Sequence, residues 1–426
     1  MKRRHIALFT LMGNGHLYPI LPLCNELITR GFRVSCPVND RYAGRVRATG
    51  AEAVVFTEFP VDRALRAENE ARAELLTSDP SRLETSELEW AHLSKSTADF
   101  LAQIMGFYEQ DPPDLVLYNR YCIPGRIMAH RQRAPAIQFS PHFAYPGRSR
   151  FWQNGTCENP DGLVSYGAKL DSLLADHDIR TGDNLWHLEK LNLHLIPREF
   201  QYRAEAFDER FFFSGSLAQP PFESTWRPRR TGRPLVLISG YSGLPETKSS
   251  NTAHFKLFID ALADAACHCV LSIGDGVSAA ALGPLPANFE VNQRTSHLEI
   301  LPHASLFACH GGMGSSLEAL YNGVPVLTIP NSPYTEEVAS RVNELRVGAV
   351  LLRRNLCVDS VRETVLEMLR DRRLHERAGE LQQVFGRSGG AAAVAQRIER
   401  VLHDAQRTDS RRVSPTTHPC LAGHAG

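Results

Sequence analysis

The chain has 426 residues, enough for two domains, and 43% of them are apolar, enough for two full cores. Lys plus Arg equals Asp plus Glu at 47 each, so no excess of charge argues for nucleic acid or an anionic membrane. No apolar run reaches the length of a membrane span, and the nine cysteines include no CxxC pair, which reads as thiols in a reducing cytoplasm.

In chain order, HIALFTL (5–11) is predicted as a buried strand. It is not a leader, because the glycine loop Gly13-Asn14-Gly15-His16 follows with no small-residue cleavage site. An amphipathic helix, apolar at Leu17, Ile20, Leu21, Leu23, Leu27 and Ile28, runs to Arg30-Gly31. Strands are predicted at 33–38 and 51–56, a polar helical stretch over about 60–110, and further strands at 114–119, 134–140 and 191–197. Around 216–233 the alternation stops: prolines at 220, 221 and 228, a basic cluster and no apolar period mark a linker. It restarts with strands at 234–239, 268–274, 289–293, 305–310, 325–330 and 348–352, and a helix near 252–265. Helical sequence over 359–403 closes the chain, and the tail from 405 has no apolar period and is expected to be disordered. Cys267 and Cys269 flank His268 in a predicted strand and share a face, but two thiols do not make a zinc site. Strand–helix alternation in both halves predicts two doubly wound α/β domains, 1–215 and 234–404, joined by the 216–233 linker.

The most informative segment is SLFACHGGMGSSLEALYNGVPVLTIP (305–330). A strand ends at Cys309, His310 and a glycine turn follow, and a helix begins near Gly314. Ligands of open α/β sheets bind outside the carboxyl ends of strands, where helix N-termini present free N–H groups to a diphosphate. Gly311, Gly312 and Gly314 let the backbone approach phosphates, Ser315 and Ser316 supply hydroxyls, and Glu318 can accept two hydrogen bonds from a ribose diol.

This combination of His, Gly-Gly, Ser-Ser and Glu resembles the donor-binding signature of nucleotide-sugar-dependent glycosyltransferases of the GT-B fold. That is the UDP-glycosyltransferase superfamily, including bacterial enzymes that glycosylate macrolides and other natural products. HLEILPHASLFACHGG before the motif, EALYNGVPVLTIP after it, and the opening GNGHLYPILPLCNELITRGFRVS agree with it, so the resemblance spans nearly the whole chain. It implies two Rossmann-like domains facing a cleft, the first binding the acceptor and the second the nucleotide sugar. It also implies an inverting reaction with no cofactor and no metal, the helix dipole replacing a cation. His310 and the Ser315 region would meet the diphosphate, Ser242 would reach the phosphates, and Glu318 would hold the ribose. The expected partners are a UDP or dTDP sugar and a small lipophilic acceptor, with a homodimer left open.

His16, closing the first glycine loop at the cleft edge, is expected to be the general base that takes the acceptor's proton. The resemblance pairs this histidine with an aspartate at the end of the DLVL strand, but here that position is Asn119. Asparagine can accept the Nδ1–H through its carbonyl yet carries no charge, and in the serine-protease template the same replacement costs about 10⁴ in turnover. Three explanations compete: an acidic acceptor, another carboxylate, or weak or lost catalysis. Two further departures follow. Tyr334-Thr335 stand where relatives carry an acid and Gln that grip the sugar, with Glu336-Glu337 following, so that clamp is missing or displaced, and Arg294 stands where an aromatic often stacks on the base. His142, Phe143 and Tyr145, with Phe151 and Trp152, could line an apolar acceptor pocket or pack a helix onto the sheet. The rival readings are a catalytically silent sugar-nucleotide-binding relative and a nucleotide-sugar epimerase.

Overall fold

A computed structural model of the protein describes residues 3–57, 87–145, 160–180, 184, 187–217, 226–229, 231–240, 247–274, 277–293 and 296–413. The expected positions Ser242, Arg294, Phe151 and Trp152 lie outside these residues.

Two parallel sheets form the frame. The first has seven strands: β1 (His5–Phe9), β2 (Arg33–Asn39), β3 (Glu52–Phe56), β4 (Leu115–Asn119), β5 (Ala136–Ser140), β6 (Asn192–His194) and β7 (Phe211–Phe213), in the order β3-β2-β1-β4-β5-β6-β7. The second has six: β8 (Leu235–Ser239), β9 (His268–Ser272), β10 (Phe289–Asn292), β11 (Leu306–Cys309), β12 (Val326–Thr328) and β13 (Gly348–Val350), in the order β10-β9-β8-β11-β12-β13. The apolar runs become central strands covered on both faces. In β1, Ile6 and Leu8 enter one core cluster and Ala7 and Phe9 the opposite one; in β8, Val236 and Ile238 separate likewise from Leu235 and Leu237. The strand missing from the sequence reading is β7, whose three phenylalanines are too short a run to signal itself. Its register is Asn192 to Phe211.

Three helical expectations change. The first helix is broken into Asn14–Leu17, a 3₁₀ turn Tyr18–Ile20 and Leu21–Thr29, with Pro19 and Pro22 inside the first turns of the last two. The predicted 359–403 stretch is three helices, Val358–Arg370, Arg372–Phe385 and Gly390–Val413. Asp371 ends the first of these and caps the second, accepting from the N–H groups of Arg373 and Leu374. The tail expected to be unstructured from 405 is helical to Val413: Ala405, Gln406 and Arg407 are good helix formers, and the Arg4 guanidinium donates to Gln406 at 2.6 Å.

This last helix does not stay with the second domain. Val394, Ala395, Ile398 and Leu402 are buried in the core under β1, β2 and β4, against the helix Leu21–Thr29. A second core cluster joins the halves directly, with Phe143, Ile196 and Phe200 packed with Leu317, Leu320 and Phe385. Trp226 of the linker is buried there too, its indole N–H donating to Glu290 at 3.0 Å. Among the described residues, no helix is long and apolar enough to cross a membrane.

Candidate active site

Each sheet reverses its winding at one point, between β1 and β4 in the first and between β8 and β11 in the second. Such switch points open a crevice outside the carboxyl ends of the strands. The two segments singled out in the sequence leave from those ends: the Gly13–His16 loop after β1 beside Asn119 of β4, and the His310–Gly314 turn after β11 beside Gly240.

On the first side, Asn119 is fully buried, and its side chain is fixed from two directions. The Tyr121 backbone N–H donates to Oδ1 at 3.0 Å, and Nδ2 lies 3.2 Å from His16 Nδ1. The carbonyl expected to receive the histidine proton is therefore already engaged, and the amide donates to the ring instead. Burial lowers the His16 pKa to about 4, so the imidazole is neutral near pH 7. Its ring stands edge-on to His142, centroids 5.1 Å apart. His142 is lowered further, to about 3, by burial and by the neighbouring His16 and His194.

His142 follows β5 and reaches across the crevice. Its Nδ1 lies 2.8 Å from the Tyr334 hydroxyl, which also accepts from the Met313 N–H at 3.3 Å. Tyr334 thus bridges the domains at the start of the helix Met313–Tyr321. Tyr145 donates to the Glu337 carboxylate at 2.6 Å, and burial raises the Glu337 pKa. Glu337 sits one turn beyond Tyr334, on the same helix face, so a carboxylate is kept at the cleft although Tyr334 has taken the expected position. Glu336 is exposed, and Thr335 is buried in a capping box with Ser332, its hydroxyl accepting from the N–H groups of Asn331 and Ser332. Phe143 is core, stacked on Phe200.

On the second side, Gly312 caps the helix Met313–Tyr321. Gly311 has φ +81, and a Cβ on Gly312 would stand 2.7 Å from His310 Nε2, so the bare turn lets that ring fold over it. His310 is held neutral, its pKa lowered to about 4 by burial and by His297, while a hydrogen bond to the Gly240 backbone opposes the shift. Gly314 differs from its neighbours: it is exposed, and a Cβ there would meet nothing within 4 Å among the described residues. Ser315 is half-buried, whereas Ser316 is fully buried beside Cys309 at the end of β11. Glu318 is a quarter exposed, 3.5 Å from His297 Nδ1, and His297 Nε2 lies 3.2 Å from Ser272 at the end of β9. His297 and Tyr121 were not singled out from sequence, and Glu337 was named only as following the expected clamp position. Only the HLEILPHASLFACHGG stretch could have pointed to His297, and nothing local marks Tyr121.

Residues 256–401 match the family model described as Erythromycin biosynthesis protein CIII-like, C-terminal domain. The chain is 31% identical over 415 residues to NDP-glycosyltransferase YjiC of Bacillus licheniformis, covering 94% of this chain and 98% of that one. It is 30% identical to demethyllactenocin mycarosyltransferase of Streptomyces fradiae, covering 94% and 87%. The structure of CalG4, the calicheamicin glycosyltransferase, superposes with a TM-score of 0.75 at 30% identity over 97% of this chain and 100% of that one. With both switch-point sites in place and these likenesses along nearly its whole length, the chain belongs to the nucleotide-sugar-dependent glycosyltransferases of natural-product type, with the GT-B fold.

Proposed function

We propose that the protein is an inverting, metal-independent transferase that moves a sugar from a UDP or dTDP sugar to a small lipophilic acceptor. The observation that carries this is the Gly312-capped helix N-terminus with its open position at Gly314 and Glu318 one turn on, linked to His16 through Tyr334 and His142. Among the described residues nothing packs where a Gly314 side chain would stand, so the space suits a diphosphate received by the first N–H groups of the helix. Those N–H groups, at the positive end of the helix dipole, serve in place of a cation, the neutral His310 ring adds a hydrogen bond, and Glu318 beside His297 receives the ribose hydroxyls. Ser242, Arg294 and Ser315 complete the donor side in this reading. His142 and Tyr145 border the acceptor, and His16 meets its hydroxyl. As a general base His16 needs a bare Nε2, and Asn119 decides which nitrogen carries the proton.

The test is transfer from UDP and dTDP sugars to a panel of phenols, carboxylic acids and alcohols in the presence of a chelator. Product is read by mass and its anomeric configuration by NMR. A glycoside of inverted configuration, formed at the same rate with chelator, is expected; retention or chelator sensitivity contradicts the proposal. The hydrogen bond from Asn119 into His16 favours one second reading, a silent sugar-nucleotide-binding relative, which would bind nucleotide tightly and yield no glycoside from any acceptor.

A further inference from the structure

The Asn119 amide is oriented by a partner that cannot change roles. The Tyr121 backbone N–H is a donor and lies 3.0 Å from Oδ1; turning the amide over would face it with a second donor. The Nδ2 group, a donor only, therefore points at His16 Nδ1 at 3.2 Å, and Nδ1 must accept. A neutral imidazole that accepts at one nitrogen carries its proton on the other. An aspartate in place of Asn119 would do the reverse, taking an Nδ1–H and leaving Nε2 bare. Among the described residues the rings against His16 are His142 and Tyr121. Neither His142, itself held neutral, nor the phenol of Tyr121, its pKa raised by burial, is a charge that would alter this choice.

We propose that Asn119 is a positioning residue that fixes His16 in the Nε2–H form, so that His16 donates a hydrogen bond to the acceptor oxygen instead of taking its proton, and that the acceptors of this enzyme are those that arrive ionised, carboxylic acids and acidic phenols or enols. The inference rests on the transferase reading above. The acceptor loses its proton to solvent before binding. Its oxyanion, held by the Nε2–H of His16, attacks the anomeric carbon and forms the new C–O bond. The bond from that carbon to the diphosphate oxygen breaks, and the electron pair leaves on the nucleoside diphosphate. No proton needs a base within the site.

Two measurements on the intact wild-type chain decide it. Nitrogen-15 NMR of the imidazole rings, with His16 assigned by its loss in His16→Gln, should show the Nε2–H tautomer at neutral pH. An Nδ1–H tautomer overturns the proposal. Transfer to a series of phenols of graded acidity should follow the phenolate fraction as pH is varied, with alcohols at least about 10²-fold slower, the scale of a missing general base. Equal rates on alcohols and acidic phenols overturn it. Asn119→Asp should turn the ring to Nδ1–H and raise transfer to alcohols by about 10²-fold. The reading beneath is separable: a protein that binds neither UDP nor dTDP overturns the transferase function itself, whereas normal nucleotide binding with the wrong tautomer overturns the acceptor class alone.

Discussion

Among the described residues, burial keeps five histidines neutral: His16, His194, His254 and His310 have pKa values lowered to about 4, and His142 to about 3. Below pH 6.5 the unfolded chain takes up protons at these positions while the folded chain does not. Stability is therefore fully present above 6.5 and is lost as pH falls toward 4. The raised Glu337 carboxyl acts in the opposite sense, but it is one group against five. The thermal midpoint should drop clearly between pH 7.5 and 5.5; an unchanged midpoint would mean that these rings are not neutral in the fold. At the donor site, Glu318→Ala should weaken nucleotide binding by about 1.5–3 kcal/mol, the scale of hydrogen bonds to a charged group, with thermal stability kept. Unchanged affinity in a titration would remove Glu318 from the ribose. Residue types at fixed spacing made His16, His310 and Glu318 legible in the sequence. The direction of the Asn119 amide was not, because it depends on a backbone N–H two residues on.

Among the elements, strands were the most legible, since central parallel strands are continuous apolar runs bounded by turns, and each of the twelve expected strands overlaps an observed one. Helix ends were less so. Pro19, Pro22 and the cap at Asp371 cut apolar periods that look continuous in sequence. Gly125 is another position whose meaning is tertiary. It lies in the helix Ile123–Arg131, and a Cβ there would stand 2.6 Å from Tyr118 Cβ and 2.7 Å from Phe9 Cβ. The helix thus rests directly on β1 and β4, the two strands that carry His16 and Asn119 to the crevice. Gly125→Ala should lift it and cost about 1–3 kcal/mol, as overpacking does. Denaturant unfolding would measure this, and a loss below about 0.5 kcal/mol, within the range of ordinary surface substitutions, would contradict the close approach.

For the whole molecule, the two-domain plan was legible in the linker composition and the repeated alternation, but the way the halves are joined was not. Val394, Ile398 and Leu402 recur at helical spacing and so announce an apolar face, yet spacing does not say which domain covers it. The covering comes from the first sheet, and Arg30 secures it by donating to Glu399 at 3.3 Å. The crevice between the sheets is in turn bridged by His142 to Tyr334 and by Tyr145 to Glu337, so groups of the two domains share one hydrogen-bonded surface. In the proposed function this surface receives a nucleoside diphosphate through a helix N-terminus without a cation. Calorimetric titration of the wild-type chain with UDP and with dTDP, each in excess chelator, tests it most directly. Saturable one-site binding of at least one nucleotide, with the same affinity when chelator is omitted, is the predicted result; no binding of either, or binding that chelator abolishes, would contradict it.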